Sequence, residues 1–318
     1  MNNTCGAYVL KKRLATAAGA LFRFIFIFGV AYIILEPLFT KLSMSLMTQV
    51  DLYDKSVKFI PKHFTLNNFG DAIRFLDYWP ALFNTTALCV LSGVLQAVSC
   101  AAVGYGFGFF EFKGKRILFA LVIVTMVVPP QLILTPLYLN FQNFTLFGLI
   151  PLFNGGKGVR LIESFVPFVA LSITAVGSRN GLYIFLARQS FRGMPKEISE
   201  SAAIDGAGPF RVFWRVMLPG ALPVMTAIFL FSFVWQWNDS FYSFLFYSDL
   251  KTVARMLTTI AHQFTMMTSQ SSAVATNLGY LSIMQATSAL LAILPPALLY
   301  AVFQKRFIQS IERTGIVG

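Results

Sequence analysis

Charge is scarce in this chain. Asp, Glu, Lys and Arg make up 12% of its 318 residues against a hydrophobic share of 56%. A soluble domain carries about 25% charged residues, so this balance excludes an ordinary soluble protein and points to an integral membrane protein. Cysteine is nearly absent: Cys5, Cys89 and Cys100 are irregularly spaced, and the last two sit in apolar stretches. That excludes a disulfide framework and reads as small, soft side chains used in packing. The two histidines, His63 and His262, lie far apart without metal-ligand spacing, so no metal is assigned. No Gly-x-x-x-x-Gly-Lys-Ser/Thr phosphate loop occurs, since Asn154-Gly-Gly-Lys-Gly158 has neither the spacing nor the hydroxyl. The chain is therefore not expected to hydrolyse ATP. No Asp lies deep in any apolar window. That deprives an intramembrane protease of paired acids and an ion-coupled secondary transporter of its coupling carboxylates, and no catalytic residue is assigned.

What is abundant is apolar length. Windows near the twenty or so residues that a helix needs to cross the hydrocarbon fall at roughly 16–39, 82–109, 117–139, 164–188, 218–238 and 281–303. The expected fold is all-α: a polytopic membrane protein with six transmembrane helices, kinked where Pro37, Pro129, Pro130 and Pro136 fall. The first window follows Lys11, Lys12 and Arg13, yet it is too long for a cleaved signal and no small-residue cleavage site follows it. It is read as a retained span after an N-terminal segment 1–15. With both termini inside, fifteen basic residues face five acids on the inner side, while nine face eight outside. This positive-inside pattern sets the orientation, with both termini cytoplasmic, and accounts for the +12 net charge without nucleic acid.

The inner segment of about 190–217 carries the most specific signal. Met194 to Pro219 reads as two short helices around a tight turn. Pro195 suits a helix start and Glu197 complements its positive end, while Gly206 and Gly208 permit a left-handed stop and Pro209 can open the second helix. The first helix sets Ile198, Ser201, Ala202 and Asp205 near one face, with side chains small enough for another backbone to approach. The second, with Phe210, Phe213, Trp214, Arg211 and Arg215, reads equally well as an amphipathic connector on the bilayer.

Glu200-Ser201-Ala202, then Gly206, Val216 and Leu218-Pro219, resembles the signature loop of ABC importer permeases: Glu-Ala-Ala, three residues, Gly, nine residues, Ile, one residue, Leu-Pro. Every spacing matches; Ser201 and Val216 are the departures. The resemblance is closest to the carbohydrate branch that includes the smaller maltose-importer permease. It extends to Trp235-Gln-Trp-Asn-Asp239, Ile184-Phe-Leu-Ala-Arg-Gln189 and the tail Thr314-Gly-Ile-Val-Gly318. It implies a transmembrane permease domain over 16–318 and a coupling helix in the 190–217 loop, docked on a cytoplasmic ATPase through Glu200, Ser201, Ala202, Asp205, Gly206, Leu218 and Pro219. It also implies that ATP and magnesium are held by that ATPase and not by this chain. The partners so implied are a second permease, two copies of the ATPase, an extracytoplasmic solute-binding protein and a sugar substrate, in a bacterial plasma membrane. Another solute class remains open as the cargo.

The fourth window is interrupted by Gly177-Ser178-Arg179-Asn180-Gly181, and such breaks are tolerated where backbone lines a wet cavity. Arg179 lies nine residues before Arg188, about 14 Å of helix. A lipid-facing guanidinium at that depth costs at least about 3 kcal/mol, so Arg179 is expected to face the interior, toward a partner subunit, a carbonyl or a substrate. Ser178, Arg179 and Asn180, with Trp235 and Asn238, are the candidate pathway residues. An acidic sugar would match the guanidinium, whereas a neutral one needs only hydrogen-bond donors.

Overall fold

The computed structural model describes residues 3–145, 157–177, 179–247, 250–268 and 278–315. Ser178, Asn154 to Gly156 and the last three residues of the C-terminal tail lie outside the described residues. The helices are α1 (Asn3–Ser45), α2 (Gln49–Tyr53), α3 (Asn67–Phe75), α4 (Tyr78–Phe109), α5 (Lys115–Val127) and α6 (Pro130–Gln142). They continue with α7 (Val166–Ile173), α8 (Asn180–Arg192), α9 (Lys196–Ile204), α10 (Pro209–Gly220), α11 (Leu222–Trp237), α12 (Phe241–Phe246), α13 (Val253–Thr268) and α14 (Leu278–Gly315). Among the described residues the only β pairing is an isolated antiparallel bridge between Phe144 and Val159.

The chain forms two compact units. The first comprises Met1–Ile73 with Gln263–Leu291. Its α1 begins at Asn3 and runs unbroken into the first apolar window, so residues 3–15 continue the span as helix. The stretch Thr16–Ser45 is apolar all round, with none of its most apolar window buried in the protein, as a helix solvated by lipid must be. Its C-terminal end is closed by Asn68, whose side-chain amide donates to the carbonyls of Ser45 and Met47, both at 2.9 Å. These acceptors would otherwise be left over at a helix terminus. Beyond α1, the buried Asp51 accepts the backbone N–H of His63 at 2.9 Å and contacts its Nδ1 at 2.7 Å.

The second unit, Arg74–His262 with Ala292–Gly318, is built around α4. Small residues let α8 come close: a Cβ added at Gly104 would stand 2.6 Å from Ala187 Cβ and 2.9 Å from the Arg188 backbone nitrogen. With no water-driven force between helices inside a bilayer, such close backbone approach supplies the packing. Cys100, Ala101, Tyr183, Ala187, Phe191, Met217 and Ile228 form the buried core there.

Among the described residues three helices are long and apolar enough to cross a membrane: Thr16–Ser45, Tyr78–Phe109 and Gly279–Lys305. Two bent pairs raise the number to as many as five, α5 with α6 at 100° and α10 with α11 at 77°. Prolines stand at both bends, Pro129 and Pro130 in the first and Pro219 and Pro223 in the second, where they remove backbone donors. The expected fourth span, 164–188, is divided: α7 has eight residues, α8 has thirteen, and residues 174–177 and 179 between them are not helical. By length and apolarity the described residues thus supply three to five of the six expected spans, and the broken fourth window is not among them.

Candidate functional site

Two places gather the residues singled out from the sequence. The first is the turn after α9. Gly206 takes φ +79°. Its N–H donates to the carbonyl of Ala203, and the Ala207 N–H reaches back to Ala202, both at 3.0 Å. This pair of bonds, six-to-one outside five-to-two, is a Schellman stop, and a residue with a Cβ resists the left-handed φ that it needs. Gly208, in contrast, is extended at φ −65° and serves as the cap from which Pro209 opens α10. Ala202 and Ala207 turn inward against the α4–α8 core. Glu200, Ser201, Ala203, Ile204 and Asp205 remain exposed, with Ile204 at 86% of its full area. Leu218 packs partly against the core and Pro219 is exposed. A π-helical turn, Phe213–Met217, lies within α10. It immediately precedes Leu218-Pro219, where the proline ring would clash with the carbonyl four residues back in a regular helix.

The second place is a cavity of about 250 Å³ in the second unit, between the α7–α8 break and the C-terminal end of α11. Arg179, Trp235 and Asn238 line it, joined by Gln96, Gln131, Ser232, Gln236, Asp239 and Ser240. Arg179 takes the left-handed φ of +66° at the start of α8, and its guanidinium carbon lies 3.3 Å from the Trp235 ring centroid, a cation–π stack. Asn180 does not line the cavity. It is buried, and with its amide turned so that Oδ1 accepts, it takes the N–H groups of Gly177 at 3.0 Å and Val176 at 3.3 Å. The Val176 and Gly177 N–H groups also converge on the Leu171 carbonyl at 3.1 Å, and Ser99 Oγ donates to Ser172 O at 2.6 Å. The break is therefore closed by its own hydrogen bonds, as irregular backbone away from water must be.

On the α11 side, Trp235 and Trp237 diverge. Trp235 is 46% exposed, while Trp237 is buried and donates its Nε1–H to the Ala292 carbonyl at 3.0 Å. That carbonyl has lost its intrahelical donor, because position 296 is proline. Past the helix end, Asp239 accepts the Tyr242 N–H at 3.3 Å at the start of α12. Burial raises its carboxyl to about 6, against the lowering influence of the Tyr242, Phe241 and Ser243 N–H groups and of the Arg179 charge. Gln96 and Ser232, hydrogen-bonded to each other, escaped the sequence reading. Each is a polar residue within an apolar window, and that polarity was the available signal. Among the described residues no cluster of three His, Cys, Asp or Glu side chains converges on a metal position.

The family model described as "Binding-protein-dependent transport system inner membrane component" matches residues 100–312. Over 186 residues the chain is 30% identical to the alpha-glucoside transport system permease protein AglG of Rhizobium meliloti, covering 58% of this chain and 46% of that one. Over 180 residues it is 31% identical to the diacetylchitobiose uptake system permease protein NgcG of Streptomyces coelicolor, covering 57% and 54%. The match thus spans about half the length of these relatives. In fold the chain is similar to a solved bacterial ABC transporter involved in the import of the acidic polysaccharide alginate. The TM-score is 0.70 at 19% identity, over 93% of this chain and 98% of that one.

Proposed function

The chain belongs to the family of binding-protein-dependent transport system inner membrane components, and from that premise we propose that it is a permease subunit of an ATP-driven oligosaccharide importer in a bacterial plasma membrane. It forms one half of the pathway with a second permease. It makes no chemical bond itself; ATP and magnesium belong to two copies of a cytoplasmic ATPase, and an extracytoplasmic binding protein delivers the sugar. In this reading six segments cross the membrane, the broken α7–α8 unit among them, and both termini are cytoplasmic. The assignment of sugar as cargo is supported by the α-glucoside and diacetylchitobiose systems to which AglG and NgcG belong.

The observation that carries the reading is the α9 turn. A short helix ends in a Schellman stop at Gly206, rests inward on Ala202 and Ala207, and leaves Ile204 and its neighbours uncovered. An aliphatic side chain so exposed, flanked by small residues and the acids Glu200 and Asp205, suits insertion into a cleft of another protein. As the coupling helix, α9 carries the ATPase's closing motion through the α4–α8 core into the spans. The test is Gly206→Asp in the complete transporter. Aspartate adopts the left-handed φ less readily than glycine, and it brings a charge into the contact. The variant should insert into the membrane at wild-type level, yet copurify with at most about a tenth of the ATPase, a loss of roughly 1.4 kcal/mol of docking. Full ATPase content with wild-type transport would withdraw the docking role.

A further inference from the structure

The cavity beside the α7–α8 break asks for a negatively charged ligand. Arg179 is a permanent cation, and stacking on Trp235 covers one face of its guanidinium. The N–H donors point outward in the guanidinium plane, so the stack leaves them available. Among the described residues the Arg179 side chain makes no hydrogen bond, and no carboxylate lies within ion-pairing distance of it. The nearby Asp239 is engaged with backbone N–H groups at the start of α12. A charged fork with unfilled donors, held at a fixed angle by an aromatic plane, fits a carboxylate approaching edge-on, where two parallel charge-assisted bonds can form.

The rest of the lining narrows the ligand. Gln236 Nε2 is buried with no partner among the described residues. Asn238 spends its Nδ2 on the Val234 carbonyl at 2.8 Å, which leaves its side-chain oxygen to accept. Gln131 and Ser240 add neutral polar atoms to the lining. Donors and acceptors in alternation suit hydroxyl groups. The volume of about 250 Å³ equals roughly eight waters at ~30 Å³ each, the scale of one sugar ring. Resting on the transport reading above, and deepening it, we propose that this cavity holds one uronic-acid residue of the transported oligosaccharide, with its carboxylate on Arg179 and its hydroxyls on the surrounding amides. The permease then distinguishes acidic from neutral sugars by itself, in addition to whatever selection the binding protein makes.

Trp235 reports on the site. The complete transporter, labelled with 5-fluorotryptophan and placed in lipid nanodiscs, is followed by ¹⁹F NMR, the Trp235 resonance being identified by its loss in Trp235→Phe. Sodium glucuronate should shift that resonance saturably, with a midpoint at least tenfold below those of glucose and sodium acetate. Arg179→Gln should bring the glucuronate midpoint up to that of glucose, and Arg179→Lys should restore part of the preference. Arg179→Asn, which suits the left-handed φ, replaces the glutamine variant if the latter does not assemble. Equal midpoints for glucuronate and glucose would make this a neutral-sugar site; equal midpoints for glucuronate and acetate would make it a general anion site. No shift with glucuronate would remove the site. Each of these overturns the proposal. ATPase content and ATP hydrolysis are measured on the same samples. A complex that assembles and hydrolyses ATP but fails the titration sinks the uronate site alone, whereas a wild-type chain that never retains the ATPase sinks the transport reading.

Discussion

Trp235 and Trp237 stand two residues apart on one helix, and a helix turns about 200° over that interval, so they face nearly opposite ways. One flanks the cavity; the other closes a hole in the hydrogen bonding of α14. Pro296 frees the Ala292 carbonyl and the indole of Trp237 supplies the missing donor from a different helix. Trp237→Phe removes that donor together with the five-membered half of a buried indole, and the carbonyl left unsatisfied alone costs about 1–3 kcal/mol. Thermal unfolding of the detergent-solubilised complex should show this loss; a midpoint unchanged from wild type would mean that the carbonyl finds another donor. A second residue-scale outcome concerns Asp51. Burial raises its carboxyl, but the His63 side-chain and backbone hydrogen bonds outweigh this, and the net shift is downward from 3.8. A depressed folded-state value means that the stability contributed by Asp51 is present above the unfolded value and is lost as pH falls below 3.8 toward the folded one. Thermal midpoints measured from pH 7 to pH 3 should therefore fall more steeply in wild type than in Asp51→Asn. Parallel curves would assign the acid loss to other carboxylates.

At the scale of elements, legibility in the sequence followed the periodicity and the breakers. The turn at Gly206 was readable because one residue type satisfies its φ, and the bends after α5 and α10 because proline removes a donor wherever it stands. The division of the fourth apolar window was readable as a weak stretch, although its position moved. The sequence points to 177–181, but the described non-helical residues are 174–177 and 179, because the Leu171 carbonyl and the Asn180 side chain draw in the Val176 and Gly177 N–H groups. The π turn at Phe213–Met217 had no local signal beyond Pro219. Asn180 and Arg179 are adjacent polar residues that the sequence treats alike, yet one is turned into the break and the other into the cavity. Their separation depends on a left-handed φ at a non-glycine residue, which tertiary packing imposes and composition does not announce. The hydrogen-bonded pair Gln96 and Ser232 was hidden for a similar reason, since its convergence is set by the approach of α4 and α11 across a wide sequence interval.

For the molecule as a whole, the question that decides the topology is whether α7 and α8 together cross the bilayer or turn back within it. Their twenty-one helical residues would span about 32 Å if stacked end to end, close to the roughly 30 Å hydrocarbon thickness. If they cross, the two bent pairs and the three long helices bring the count to six, and the basic excess around 188–215 stays on the inner side. If they turn back, Arg160 and Glu200 share a side and that charge asymmetry collapses. Both positions are exposed, so single cysteines can be placed there in a background without Cys5, Cys89 and Cys100. A membrane-impermeant maleimide applied to right-side-out vesicles should label Arg160→Cys at once, and Glu200→Cys only after the vesicles are opened. The broken unit is then a crossing whose backbone irregularity is tolerated because it borders the cavity. Labelling of both cysteines from one side would make it a re-entrant segment, reduce the spans to five and place the chain's ends on opposite faces. A permease with the α9 turn on the outer side could not reach a cytoplasmic ATPase, so this labelling pattern bears on coupling as directly as on topology.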